Sequence, residues 1–293
     1  MSKSVTRIIK IADINITLIS ERDRGVFEFN DNYNPFFTKE TGDFQYQLKY
    51  GKLPNLGFWR QVFDSGGTWR LYEKRNQWGI GIYSPIFGPE PYQVGIFESD
   101  FSEGVIYLSN SDLNKPYTPF PFAYPISELV MINLLSQGYG LMLHACAVKD
   151  GERGLLFAGT SGAGKSTTAR LWSEREGVTI LSDDRVIIRK QGEQFMIYGT
   201  PWHGEARFLS SQSALLSQIY LIDHSDKNQF LSLKPKDAYT RLLVRSFPTY
   251  WNSSGMEFTL DFIKQIVNAI PCFEYGFVPD EGAVDFIRCQ TSI

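Results

Sequence analysis

The chain has 293 residues and carries 29 Lys and Arg against 32 Asp and Glu, a formal net charge of −3; this slightly acidic balance argues against a general nucleic-acid binder, which concentrates positive charge. Hydrophobic residues make up 43%, enough for a buried core, so a wholly disordered chain is excluded, and no run of about 18 uninterrupted apolar residues marks a membrane span. The three cysteines, Cys146, Cys272 and Cys289, are too widely spaced for a disulfide framework or a zinc pattern, and the basic start of the chain has no small-residue cleavage site, so a cytoplasmic protein is expected.

In chain order, Val5–Ile9 and Ile14–Ile19 are β-branched runs joined through Ala12-Asp13, a predicted hairpin. Phe44–Tyr50 alternates aromatic and polar residues, and Gly79–Tyr83, Val94–Phe97 and Val105–Leu108 are short strand-like runs, with breaks at Gly66-Gly67 and Pro85–Pro91. Residues 1–114 are therefore expected to form a β-rich domain around an antiparallel sheet. Prolines crowd residues 115–125, which cannot be a regular helix or central strand and read as an extended linker.

Beyond it, residues 126–293 alternate strands and helices, the pattern of an α/β domain. Ile126–Gln137 reads as a helix stopped by Gly138 and Gly140. Leu141–Val148 and Leu155–Ala158 read as strands, Lys165–Glu174 as a helix, Val178–Leu181 as a strand, and Val186–Arg189 with Phe195–Tyr198 as a hairpin. A strand over Ile219–Ile222, helices over Lys236–Phe247 and Met256–Ile270, a strand over Phe273–Val278 and a closing helix over Ala283–Cys289 complete the chain.

The segment Gly159-Thr160-Ser161-Gly162-Ala163-Gly164-Lys165-Ser166 fits G-x-x-x-x-G-K-[ST] at every fixed position, between a predicted strand and a predicted helix. Glycines let the backbone curl so that several N–H groups point inward at phosphate oxygens, aided by the positive end of the helix. Lys165 supplies a charge for the transferring phosphoryl group and Ser166 a hydroxyl for Mg²⁺; Thr167 follows at the helix start. Asp183 and Asp184 close the next strand, where they could hold Mg²⁺ or take a proton from an attacking hydroxyl; a solvated turn is the competing reading. His144 ends an apolar stretch and reads equally as a core histidine.

Taken together, Leu143-His144-Ala145-Cys146-Ala147-Val148, the GLLFAGTSGAGKSTTARLW stretch around the loop, and Leu181-Ser182-Asp183-Asp184-Arg185-Val186 resemble HPr kinase/phosphorylase. They are also similar to HPr-kinase homologues of bacterial peptide-biosynthesis clusters. The resemblance covers about residues 125–290 and is densest over 143–188. It implies a P-loop domain of the phosphoenolpyruvate carboxykinase type that uses ATP and Mg²⁺ to phosphorylate a serine on a carrier protein or, in some members, on a precursor peptide. By the same resemblance Asp183 is the general acid/base, Asp184 its metal-side partner, and His144 the histidine that faces the phosphoryl group. It also allows a homo-oligomer, while the charge balance and the lack of a long apolar run leave no nucleic-acid or membrane partner expected. The family usually carries Asp where Thr160 stands and Glu where Thr167 stands.

Thr200–Arg207 is a dense polar loop after a strand; with the family in view, Glu205 is a candidate third metal carboxylate and His203 its alternate. Arg241 and Arg245, four residues apart on the predicted helix Lys236–Phe247, face one side and could clamp a phosphate; a solvated basic stripe is the alternative. His224 reads as a surface turn residue. The expected activity is a kinase acting on a hydroxyl of a protein or peptide. The alternatives are a small-molecule kinase, a carboxykinase relative, or a nucleotide-sensing module that transfers nothing. Aromatic residues are plentiful at 15%, yet only Phe157 and Trp172 fall within 143–188. The rings cluster in 27–124 and around 195–277, which leaves acceptor recognition, if it uses rings, to the N-terminal domain and linker.

Overall fold

The computed structural model describes residues 4–21, 31–109 and 120–290; positions 115–119 of the expected linker, and the rings of Phe27, Phe29 and Tyr117, lie outside the described residues. The chain divides into two compact units, residues 1–134 and 135–293, and is mixed α/β with two large sheets.

In the first unit, β1 (Val5–Ile11) and β2 (Ile14–Ser20) form the hairpin. Its turn residues Ala12 and Asp13 sit at φ 51° and 57°, the left-handed pair that matches strand twist in a tight turn. A short 3₁₀ turn at Asp31–Phe36 leads into β3 (Phe37–Thr38), followed by β4 (Phe44–Gly51), β5 (Arg60–Asp64), β6 (Trp69–Lys74), β7 (Gln77–Ser84), β8 (Gly88–Glu98) and β9 (Glu103–Ser109). These nine strands make one sheet in the order β3-β1-β2-β4-β9-β8-β7-β6-β5. Along β4, Phe44, Tyr46 and Leu48 are buried while Gln45 and Gln47 are exposed, the period-2 pattern that marks a sheet face on a core.

The sheet is mixed rather than antiparallel, because β4 lies parallel to both β2 and β9. Strands β5 to β8 pair successively with their chain neighbours, and the chain then returns in β9 to run beside β4 in the same direction. The described part of the proline-rich segment is a pair of turns rather than an extended connection. Its rings enter the core: Phe122 stacks on Tyr46 at 5.7 Å and Phe120 meets Tyr33 edge-on at 5.1 Å. Helix α1 (Ile126–Leu134) is buried on all sides and ends before the expected Gln137. A π-type turn with Gly138 at φ 102° follows it.

The second unit comprises β10 (Leu141–Asp150), β11 (Arg153–Ala158), α2 (Lys165–Ser173), β12 (Val178–Ser182), β13 (Arg185–Gln191), β14 (Gln194–Tyr198), β15 (Ser213–His224), β16 (Gln229–Ser232), α3 (Pro235–Leu243), α4 (Ser253–Ala269), β17 (Cys272–Phe277) and α5 (Gly282–Gln290). The strand order is β11-β10-β13-β14-β15-β17-β16, with β12 on β10 and β11 also pairing in parallel with β15, so five strands close on themselves. Alternation along β10 sorts the core. Leu141, Leu143, Ala145 and Ala147 pack with residues of α3 and α4, and Cys146 and Val148 pack with residues of α2 and α5. Both faces are therefore covered, and the strands read as nearly continuous apolar runs. Phe157 and Trp172, the two rings of the lean stretch, are both buried in the α2-side core.

Helix α3 stops at Leu243 rather than Phe247. Ser246 instead bridges Leu143, and the Phe247 N–H donates to the Met142 carbonyl at 3.1 Å; strand-edge bonding wins over further helix. Among the described residues no helix is long and apolar enough to cross a membrane.

Candidate active site

The glycine-rich segment spans the turn between the buried end of β11 and the first residue of α2. Its glycines answer to steric demands. A Cβ on Gly159 would lie 2.7 Å from the Cβ of Ala163, and one on Gly164, held at φ 101°, would lie 2.5 Å from Cζ of Phe277. Gly164 is also the N-cap of α2 and brings no side chain to its open N–H groups, which leaves them directed at whatever anion enters.

A cavity of about 490 Å³ opens at this helix end, within the range of ligand pockets. On the loop side it is lined by Ser161, Gly162, Gly164, Lys165, Ser166 and Thr167. Gly159, Thr160 and Ala163 shape the loop without lining the cavity. Facing the loop are His144, Asp183, Asp184 and Glu205. Residues far apart in sequence thus converge because β10, β12 and the 199–206 loop end on the same side as the β11–α2 turn.

Lys165 is buried, and its Nζ donates to the carbonyls of Gly159 and Thr160, both at 3.0 Å. Burial holds its ammonium below the usual lysine value; the Asp184 charge opposes this, while Arg245 and Arg185 push the same way as burial. Asp183, only 2% exposed, accepts the N–H of Gly204 on Oδ1 at 2.9 Å and of Ala206 on Oδ2 at 2.8 Å. Its carboxylate therefore holds the polar loop closed over one side of the cavity. A Cβ on Gly204 would lie 2.9 Å from Asp183 Oδ2, so this approach needs glycine.

Asp184 has both oxygens engaged: Oδ1 meets His144 Nδ1 at 2.7 Å and Oδ2 accepts from Arg185 at 2.6 Å. Burial alone would raise its pKa. The hydrogen bond from His144 and the charges of Arg185, His144 and Lys165 outweigh that and hold the carboxyl below the usual aspartate value. Asp184 is thus held in an ion-pair cluster at the cavity wall, with one partner on each oxygen. Glu205 is exposed on the cavity rim. His203 does not line the cavity, and its Nδ1–H bonds the Gly204 carbonyl at 2.9 Å.

The two candidate arginines lie outside the cavity wall and do not share a helix face. Arg241 pairs with Glu274, and Arg245, in the turn after α3, donates to the Arg241 carbonyl at 2.7 Å. Arg245 is held below the usual arginine value mainly by burial, and its Nε is buried without a partner in the described residues.

Three residues that chain-order reasoning passed over belong to the site's surroundings. Arg185 stands opposite His144 in the β10–β13 register, bonds Asp184, and lies 4.5 Å over the Phe247 ring; no local pattern distinguishes it from any strand-opening arginine. Arg170 lines the cavity one turn after Ser166, and its i+4 spacing was a usable signal. His224 reaches the glycine loop itself, with Nε2 2.9 Å from the Gly162 carbonyl. The signal there was its place at the carboxyl end of a strand parallel to β11, where ligands of α/β sheets collect.

No family model matches the chain, and no curated protein matches it. Among solved structures, the HPr(Ser) kinase/phosphatase from Coxiella burnetii is similar over 52% of this chain and 99% of that one, at 15% identity and a TM-score of 0.30. A likeness that slight assigns neither family nor activity.

Proposed function

We propose that the second unit is an ATP-dependent kinase that transfers the γ-phosphoryl group to a hydroxyl, the serine of a protein or peptide. The observation that supports this best is the convergence on one cavity of an anion-receiving helix end, a buried lysine and the carboxylate of Asp183. The loop fits a polyphosphate because the N-cap Gly164 brings no side-chain hydrogen bond to the α2 N–H groups, leaving them open to an anion. Lys165 and those N–H groups hold the phosphates and offset their charge. Asp183 keeps lone pairs beyond the two it gives to Gly204 and Ala206, and with one of them it takes the acceptor's proton. Asp184, itself held by Arg185, orients the His144 ring at the cavity wall.

No group of three His, Cys, Asp or Glu side chains able to hold an ion is found among the described residues. Ser166 and Glu205, both on the cavity lining, are the donors that would hold a Mg²⁺ ion, which would supply charge neutralisation on the phosphates. In this reading the β-rich part, residues 1–114, serves acceptor recognition and the enzyme works in the cytoplasm. A nucleotide-binding module without transfer is the second reading, favoured by the structural use of both Asp183 oxygens.

The test supplies the full chain with γ-labelled ATP, Mg²⁺ and a panel of serine-bearing peptides and proteins, beside Lys165→Ala. Acceptor-dependent label transfer that the substitution abolishes supports the kinase. Nucleotide binding without transfer to any acceptor supports the module.

A further inference from the structure

We infer that His224 is a positioning residue that locks the glycine loop in its anion-receiving conformation; the inference rests on the nucleotide reading above. Gly162 lines the cavity and sits at φ 81°, a conformation from which glycine crosses to others at little cost. Its peptide group is planar and trans, so the direction of the Gly162 carbonyl also fixes that of the Ala163 N–H. That N–H donates to the Thr160 carbonyl at 3.2 Å, and the carbonyl is bound by His224 Nε2 at 2.9 Å. A flip of this one peptide would break both bonds and turn the Gly162 carbonyl toward the Thr160 carbonyl, undoing the turn that shapes the loop.

The histidine is held for this task. Its ring stacks on Phe277 with centroids 5.8 Å apart and planes 21° from parallel. The Phe277 ring in turn occupies the place a Cβ would need on Gly164. The loop is thus gripped at two points by one aromatic pair, supplied by the carboxyl ends of β15 and β17, strands that run parallel to each other. Nothing in the proton-transfer chemistry uses His224; its effect falls on how the loop meets phosphate.

Three variants separate its contacts. His224→Phe keeps the stack and removes the donor, His224→Gln restores a donor at similar reach, and His224→Ala removes both. One exposed hydrogen bond is worth about 0.5–1.5 kcal/mol, a factor of roughly 2 to 10 in affinity. His224→Phe and His224→Ala are expected to weaken Mg·ATP binding by about that factor, to raise KM for ATP with kcat little changed, and to speed amide hydrogen exchange at Ala163 in the unliganded chain. His224→Gln is expected to return all three toward wild type. Exchange at Ala163 and ATP affinity identical in His224→Phe and wild type would overturn the inference, as would a loss confined to kcat. A wild-type chain that binds no ATP defeats the functional reading instead, and the exchange comparison still decides whether His224 holds the loop.

Discussion

Replacing Asp183 by asparagine tests whether this carboxylate is a structural clamp as well as a reactive group. Each of its oxygens accepts one backbone N–H, from Gly204 and from Ala206, at 2.9 and 2.8 Å. An asparagine has a single acceptor oxygen, so whichever way its amide is turned, one of these N–H groups faces an NH₂. At 2% exposure water does not readily replace the lost partner. A hydrogen bond to a charged group contributes about 1.5–3 kcal/mol, and one such bond is lost while the other becomes a neutral one. The expected cost is therefore about 2–4 kcal/mol. For a domain of this size each kcal/mol moves Tm by about 2–4 °C, so a fall of roughly 4–16 °C is predicted. Differential scanning calorimetry on the full chain, with urea unfolding as a check, reads it directly. Asp183→Asn with wild-type Tm and denaturant midpoint would refute the clamp and leave Asp183 a purely chemical role.

Gly164→Ala forces a side chain into the left-handed region and against the Phe277 ring; a stability loss of about 1–3 kcal/mol together with lost ATP binding is expected, measured by chemical unfolding and nucleotide titration. Asp184 is held below its ordinary value of 3.8, so its contribution to stability is complete above about pH 3.8 and is lost as pH falls through the lower folded value. Acid unfolding followed by circular dichroism should therefore show a step in that window that flattens in Asp184→Asn. Arg241→Ala, by contrast, breaks an ion pair whose side chains are 35% and 40% exposed. It should cost no more than about 1 kcal/mol, and a larger loss by urea unfolding would contradict the reading of this pair as a solvent-screened one.

The parts of this molecule that were legible in the sequence are those with local causes. The β1–β2 hairpin announces itself through β-branched runs around Ala12-Asp13, and the β11–loop–α2 unit through its glycine and lysine spacing. Strands β5 and β6 were not, because Arg60–Lys74 shows little alternation and its residues are largely half-buried or exposed. The parallel pairing of β4 with β2 and β9 is likewise nonlocal. The residues converging on the cavity could be named one by one, but their engagements could not. That Asp184 would be occupied by His144 and Arg185 depends on the β10–β13 register. The separation of Arg241 from Arg245 follows from Ser246 adding to the edge of β10. His224 looked like a turn residue because the loop it holds lies sixty-two positions earlier.

The most direct test of the central claim is calorimetric titration of Mg·ATP into the full chain, with Lys165→Ala beside it. Saturable binding at one site per chain, weakened about tenfold or more by the substitution, is the predicted result, since a buried ammonium paired with phosphate contributes about 1.5–3 kcal/mol. A wild-type chain that gives no saturable heat, or one whose affinity is unchanged by loss of Lys165, would contradict the assignment of this cavity to a nucleoside triphosphate.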